Sequence, residues 1–337
     1  MKILYDGRLL TSKPSGVRDI AVGIARGMKA LEDQGELEFI VATETPVDGF
    51  QNIVIRRRGF MHVGLPCVAK RNRCDLILIP RQTRPLVSVV PTRSVIHDIG
   101  FLVRPDLYVN NAAIKTTTKM VLRDRELLTI SEFTKREIEN RGYRGRAINL
   151  PIGANLRLSW RPQLDQKYLL CVAAQHRHKN LATLVDAWTN AETDGSSLVI
   201  CANPGNDSGA LLNRVHESGK SDTIRVVDGL SSGDYVSLLE GCWAYVQPSL
   251  YEGLCIPLLD ALAAGVPTIG SDVGNVGVVL GHSPHGQTFN PLDVADMIAR
   301  MKQVMSDPVY RASTGAWGRA NVHATYWTDV ARAAVWG

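Results

Sequence analysis

Short apolar runs alternate with amphipathic stretches almost from end to end of the chain, and this alternation restricts the fold more than any other property of the sequence. Runs at residues 2–6, 37–43, 52–56, 76–79, 94–98, 127–131, 148–152, 168–174, 198–202, 224–228, 243–248 and 268–271 are rich in Val, Ile and Leu. Between them, residues 17–31, 107–126, 132–141, 181–191, 210–218, 233–241 and 291–305 carry apolar residues at helical spacing. Strands and helices in strict alternation predict parallel sheets with helices on both faces. The expected fold class is α/β, with two Rossmann-like doubly wound domains facing a cleft.

The chain has 337 residues, enough for two cores at ~150 residues per domain. The break is expected between residues 152 and 167, where Gly153-Ala154-Asn155 leads into a polar, Pro-containing stretch. The expected domains are residues 1–155 and 156–315, and the remaining 316–337 ends in a terminal helix with an aromatic anchor at Trp327. A content of 45% hydrophobic and 21% charged residues excludes disordered, collagenous and coiled-coil classes. No apolar run approaches the ~18 residues of a spanning helix. The start, Met1-Lys2-Ile3-Leu4-Tyr5-Asp6, lacks the pattern of a secretory signal, so a cytoplasmic location is expected. Six cysteines without C-x-x-C spacing predict neither disulfides nor a metal site.

Net charge is +5, but residues 1–150 hold 25 Lys and Arg against 16 Asp and Glu, or +9, while residues 151–337 hold 13 against 17, or −4. In the basic half, Arg56-Arg57-Arg58 and Lys70-Arg71 flank the apolar stretch 60–66. Such a segment, 56–73, suits an anionic membrane surface or reads as a solvated face. Neither a helix-turn-helix nor a stacking motif accompanies the charge, so nucleic acid is not an expected partner.

The densest chemistry lies in residues 247–267. A strand ends at Pro248, a loop carries Glu252-Gly253, Pro257 suits a first helical turn and Gly265 a helix stop. Free amides at the start of that helix, with its positive dipole end, are suited to phosphate. Glu252 precedes this seat, where a carboxylate meets sugar hydroxyls, and Asp260 follows within the helix. Taken one by one, Glu252 reads as a loop carboxylate and Asp260 as a dipole partner. Taken in this order, they read as a ligand site.

The stretch resembles the E-x7-E signature of retaining, nucleotide-sugar-dependent glycosyltransferases of the GT-B fold, group 1 or family 4. Ser131-Glu132-Phe133-Thr134-Lys135, His97-Asp98, Pro151-Ile152-Gly153-Ala154-Asn155 and Lys179-Asn180-Leu181 resemble further motifs of that family. The resemblance implies that Glu252 contacts the donor sugar and Asp260 the ribose, while amides of Gly253, Leu254 and Cys255 lie against sugar and distal phosphate. It implies that Lys179 neutralises the diphosphate with Arg177 or His178 assisting, that His97 sits over the donor sugar, that Gly16 admits the diphosphate, and that the C-terminal helix within 316–337, at Trp327, crosses back to the first domain. His97 reads equally as a core histidine with a backbone partner. Asp260 stands where the family has Glu, and Cys255 replaces its second glycine.

The expected activity is transfer of a hexose, with mannose from GDP-mannose the first guess. The expected acceptor is a saccharide or lipid-linked saccharide of surface polysaccharide synthesis at the inner membrane face. No cofactor or metal is implied. The rival readings are a sugar-nucleotide epimerase, a phosphorylase, or a non-catalytic nucleotide-sugar-binding protein.

Overall fold

The computed structural model describes every residue except Arg57, Asn110, Arg157, Leu164 and Asp194. Arg57 of the basic run and Leu164 of the expected linker thus lie outside the described residues. The chain divides into two compact units. The first holds Met1–Leu102, Asn110–Ile152 and Thr325–Gly337, and the second holds Val103–Val109 and Gly153–Ala324.

The first unit runs β1 (Lys2–Asp6), α1 (Gly16–Asp33), β2 (Glu38–Thr43), β3 (Asn52–Val54), α2 (Leu65–Arg71), β4 (Leu76–Ile79), β5 (Thr92–Ile96), α3 (Gly100–Val103), α4 (Ala112–Val121), β6 (Glu126–Thr129), α5 (Glu132–Asn140) and β7 (Arg146–Asn149). Its strands form one parallel sheet in the order β3-β2-β1-β4-β5-β6-β7. The second unit runs β8 (Tyr168–Ala174), α6 (Leu181–Asn190), β9 (Ser197–Asn203), α7 (Ser208–Glu217), β10 (Ile224–Val227), α8 (Ser232–Gly241), β11 (Ala244–Gln247), α9 (Ile256–Ala264), β12 (Thr268–Ser271), α10 (Gly274–Gly281), β13 (Thr288–Phe289), α11 (Val294–Ser306) and α12 (Pro308–Asn321). Its sheet is also parallel, ordered β10-β9-β8-β11-β12-β13. Strand order turns back between β1 and β4 in one unit and between β8 and β11 in the other. Open parallel sheets take ligands at such switch points, beyond the carboxyl ends of the strands.

The last helix, α13 (Trp327–Trp336), belongs to the first unit and lies on α1, where Gly23 and Gly27 leave room for Trp327. The Arg93 guanidinium donates to the carbonyls of Ala334 and Val335 at 2.9 and 2.7 Å and satisfies the end of that helix. The returning segment therefore starts at Thr325 and not at 316. Residues 316–321 belong to α12, which packs on α9 through close approaches at Gly315 and Gly318. The second unit begins at Gly153, ahead of the expected 156. Its linker is bound rather than loose: Ala154 bridges to Ala324, and the Trp160 indole donates to the Cys242 carbonyl at 2.8 Å.

Two further expectations are corrected. Residues 107–126 are not one helix: a 3-10 turn spans Pro105–Leu107, and α4 starts only where Asn111 caps it by accepting from the Ile114 amide. In segment 56–73, Phe60, Met61 and Leu65 are buried in the core of the first unit and Val63 is exposed, so most of the apolar stretch is not offered to a membrane. No described helix is long and apolar enough to cross a membrane.

Candidate functional site

The loop after β8 carries Gln175 to Lys179, and the loop after β11 carries Pro248 to Cys255. The Leu250 amide donates to the His178 carbonyl at 2.8 Å and ties the loops together. Lys179 Nζ then stands 2.7 Å from Glu252 Oε1, so residues 73 positions apart form an ion pair at the switch point of the second unit. Neither is much exposed, at 18% and 8% of the side chain, so water screens the pair little.

Glu252 Oε1 also accepts from the Ser249 hydroxyl at 2.8 Å and the Gln247 amide at 3.3 Å. From the other side, the Asn275 amide donates to the Glu252 carbonyl at 2.9 Å and its side chain to the Leu254 carbonyl at 2.9 Å. Gly274, at φ +62°, comes so near that a Cβ there would stand 2.8 Å from the Glu252 nitrogen. Sequence reasoning gave no role to Gln247, Ser249, Gly274 or Asn275. The signals were a polar residue in an otherwise apolar strand and a Gly-Asn pair opening a helix.

Gly253 and Leu254 are buried in the same loop. Cys255 caps α9 with φ +65° and ψ +72°, a left-handed conformation that favours glycine and costs a side chain roughly 1–2 kcal/mol. That conformation is a physical reason for the family glycine at this place. Burial, reinforced by the Glu252 charge, pushes the Cys255 thiol well up and keeps it protonated. Pro257 lies in the first turn of α9, and Gly265, at φ +81°, ends the helix.

Asp260 is 2% exposed. Its Oδ1 accepts from the amides of Asn155 and Leu156 at 2.6 and 2.9 Å, and its Oδ2 lies 3.5 Å from the Tyr235 hydroxyl. It therefore anchors the start of the second unit as well as standing at the second acidic position. Arg177 and His178 turn to the segment 103–109: Arg177 Nη1 is 3.4 Å from the Asp106 carbonyl, and the His178 ring stacks on Tyr108 at 4.7 Å and 8°. Burial, then the nearby Lys179 and His176 charges, push His178 down to about 2, so the ring is neutral.

The first unit holds the other two expected residues. Gly16 opens α1, and a Cβ there would meet nothing within 4 Å, so packing does not demand the glycine. His97, 7% exposed, donates from Nε2 to the Pro80 carbonyl at 2.9 Å, the backbone partner of a core histidine. Burial lowers its pKa. At the β1/β4 switch point, Asp6 accepts from Arg8 Nε and Nη2 at 2.8 and 2.6 Å, with Arg81 Nε 3.9 Å away. A cavity of about 790 Å³ lies at the opposite, amino end of this sheet, where Arg84–Asp124 and Arg93–Glu126 already pair the charges.

Residues 155–320 match the family model described as glycosyl transferases group 1. The O-antigen chain mannosyltransferase B of Escherichia coli is 26% identical over 183 residues, covering 53% of this chain and 46% of that protein. The chain thus spans less than half the length of this curated relative. Among solved structures, WaaG, a glycosyltransferase involved in lipopolysaccharide biosynthesis, superposes with TM-score 0.77 at 12% identity over 100% of both chains. Anabaena HepE, in complex with UDP and glucose, gives TM-score 0.74 at 14% identity over 95% of this chain and 94% of that one. The two Rossmann-like units have the GT-B fold, and the stretch that matches the glycosyl transferases group 1 model lies within the second.

Proposed function

We propose that the protein is a retaining glycosyltransferase that moves a hexose, mannose in the first place, from a nucleoside-diphosphate sugar to an acceptor hydroxyl. The observation that carries this reading is the Lys179–Glu252 pair at the β8/β11 switch point, directly ahead of the amino end of α9. Opening amides of α9 and the Lys179 ammonium suit a diphosphate. As the glycosidic bond breaks, negative charge grows on the leaving diphosphate, and a fixed cation stabilises that state more than the ground state. Glu252 takes the sugar hydroxyls. A leaving-phosphate oxygen accepts the proton of the acceptor hydroxyl on the same face of the sugar, which retains the anomeric configuration. This reading assigns no step to a metal or other cofactor.

Mannose is supported by the name of the Escherichia coli relative, and a nucleotide-sugar donor by the HepE complex with UDP and glucose. A lipid-linked saccharide at the inner membrane face agrees with the basic first half of the chain. Membrane contact through 56–73 then rests on charge, because Phe60, Met61 and Leu65 belong to the core. Incubation with GDP-mannose, UDP-glucose and other nucleotide sugars should give binding, slow hydrolysis and transfer to saccharide acceptors. Absence of all three across the panel sinks the reading. The hold of Asp260 on the linker and the thiol at Cys255 favour a second reading, a non-catalytic nucleotide-sugar binder. Turnover that disappears in Glu252→Ala and Lys179→Ala separates the two.

A further inference from the structure

A central strand of a parallel sheet is covered on both faces and is normally apolar throughout. β11 departs from this. It lies between β8 and β12, and its residues Tyr245 and Gln247 are both fully buried with their polar ends in one chain of hydrogen bonds. The Tyr245 hydroxyl donates to Gln247 Oε1 at 2.6 Å, and Gln247 Nε2 donates to Ser249 Oγ at 2.7 Å and to Glu252 Oε1 at 3.3 Å. The Ser249 hydroxyl in turn donates to Glu252 Oε1 at 2.8 Å.

The direction of this chain is fixed from its far end. An ionised carboxylate only accepts, so Ser249 gives its one proton to Glu252, and Gln247 must then face Ser249 with its amide nitrogen. That leaves the Gln247 oxygen for Tyr245, whose hydroxyl is thereby committed as donor. Among the described residues, every hydrogen bond to the Glu252 carboxylate falls on Oε1: from Lys179, Ser249 and Gln247. An apolar β11 would fill the same space without a buried polar chain to satisfy.

We infer that Tyr245 and Gln247 are positioning residues that hold Oε1 of Glu252 and thereby turn Oε2 toward the hydroxyls of the donor sugar. This rests on the reading of Glu252 as the sugar contact. Because the relay ends on that carboxylate, losing it affects the sugar and not the nucleotide. The test compares calorimetric affinities of the whole protein for GDP and GDP-mannose, and for UDP and UDP-glucose. In the native chain the cognate sugar-bearing nucleotide should bind tighter than the bare one.

In Tyr245→Phe, which deletes one oxygen, and in Gln247→Leu, that advantage should shrink by about tenfold while bare nucleotide affinity stays within twofold. Where transfer is measurable, the donor KM should rise and the rate at saturation fall, with the acceptor KM unchanged. Gln247→Glu, which puts an acceptor against Ser249 and a second charge beside Glu252, should be worse than Gln247→Leu. A sugar advantage that survives both Tyr245→Phe and Gln247→Leu in folded protein overturns the inference alone. Equal loss for bare and sugar-bearing nucleotides reduces the relay to a structural role and also overturns it. No sugar advantage in the native chain overturns the reading of Glu252 itself, and the inference falls with it.

Discussion

The two units repeat one strand order around their switch points, yet they use the carboxylate there in opposite ways. In the first unit Asp6 has both oxygens engaged: Arg8 reaches Oδ1 from its backbone amide and Nε, and Oδ2 from Nη2, with Arg81 close to Oδ2. In the second unit, among the described residues, the donors to the Glu252 carboxylate all arrive on one oxygen. An acid whose bonds are completed by its own chain holds a loop together. An acid with one oxygen left over is prepared for a ligand. The same scaffold thus yields a brace in one place and a site in the other, and what decides is how many donors the neighbouring loops deliver.

The sharpest way to break this contrast is to remove the cation from the second unit. Lys179→Met should lower the transfer rate by about 10²- to 10³-fold, because a fixed charge opposite the leaving diphosphate is lost. Single-turnover rates with saturating nucleotide sugar measure it, and a rate within threefold of native contradicts the role. The corresponding change in the first unit should act on stability instead. Asp6→Ala leaves Arg8, whose side chain is 19% exposed, without its bidentate partner and should cost about 2–3 kcal/mol. Thermal melts should fall by several degrees while nucleotide affinity, measured below the melt, stays put. A selective loss of nucleotide binding in Asp6→Ala would erase the distinction between brace and site.

Legibility in the sequence follows the same division between local and distant causes. Lys179 and Glu252 stand out because each follows a strand end by a few residues, and short motifs mark both loops. The α9 boundaries were readable from Pro257 and Gly265, whose backbone preferences are local. Gln247 was visible as a letter but not as a function, since only the fold brings it against Glu252 and Tyr245. α10 and α12 were missed for a physical reason: they carry three and two glycines, which lower helix propensity, and packing decides them. Gly315 and Gly318 admit α9, a contact with residues about 50 positions away. His97 was left between two readings, and its bond to Pro80 satisfies the bland one without touching the other.

Asp260 sharpens the comparison from within the second unit, since it joins the brace type by position of its donors. Asp260→Ala strands the Asn155 and Leu156 amides and should cost about 1–2 kcal/mol of stability. Asp260→Asn keeps an oxygen for both amides and should restore the melting temperature. If Asp260→Asn then lowers nucleotide affinity about tenfold with the melt intact, the second acidic position serves the ribose as well. Affinity unchanged in Asp260→Asn makes it a brace alone.

A contrast that only acid conditions bring out concerns the buried rings, one in each unit. His97 and His178 are both held neutral by burial, and His178 is pushed down to about 2 with Lys179 and His176 adding to the cause. In the unfolded chain a histidine takes its proton near the ordinary value of about 6.5. Below that pH the unfolded state binds protons that the folded state refuses, so stability is complete above about 6.5 and is lost as pH falls toward the depressed folded values. For His178 the loss approaches about 1.4 kcal/mol per pH unit in the acid part of that window, and His97 adds to it in the same direction. Melting temperature followed from pH 7.5 to 5 should therefore fall. His178→Phe, which keeps a ring for the Tyr108 stack and removes the titration, should flatten the fall, leaving the share of His97. A melt equally steep in His178→Phe would mean that the ring opens to solvent before the second unit unfolds, and that the 103–109 segment is held by something other than this stack.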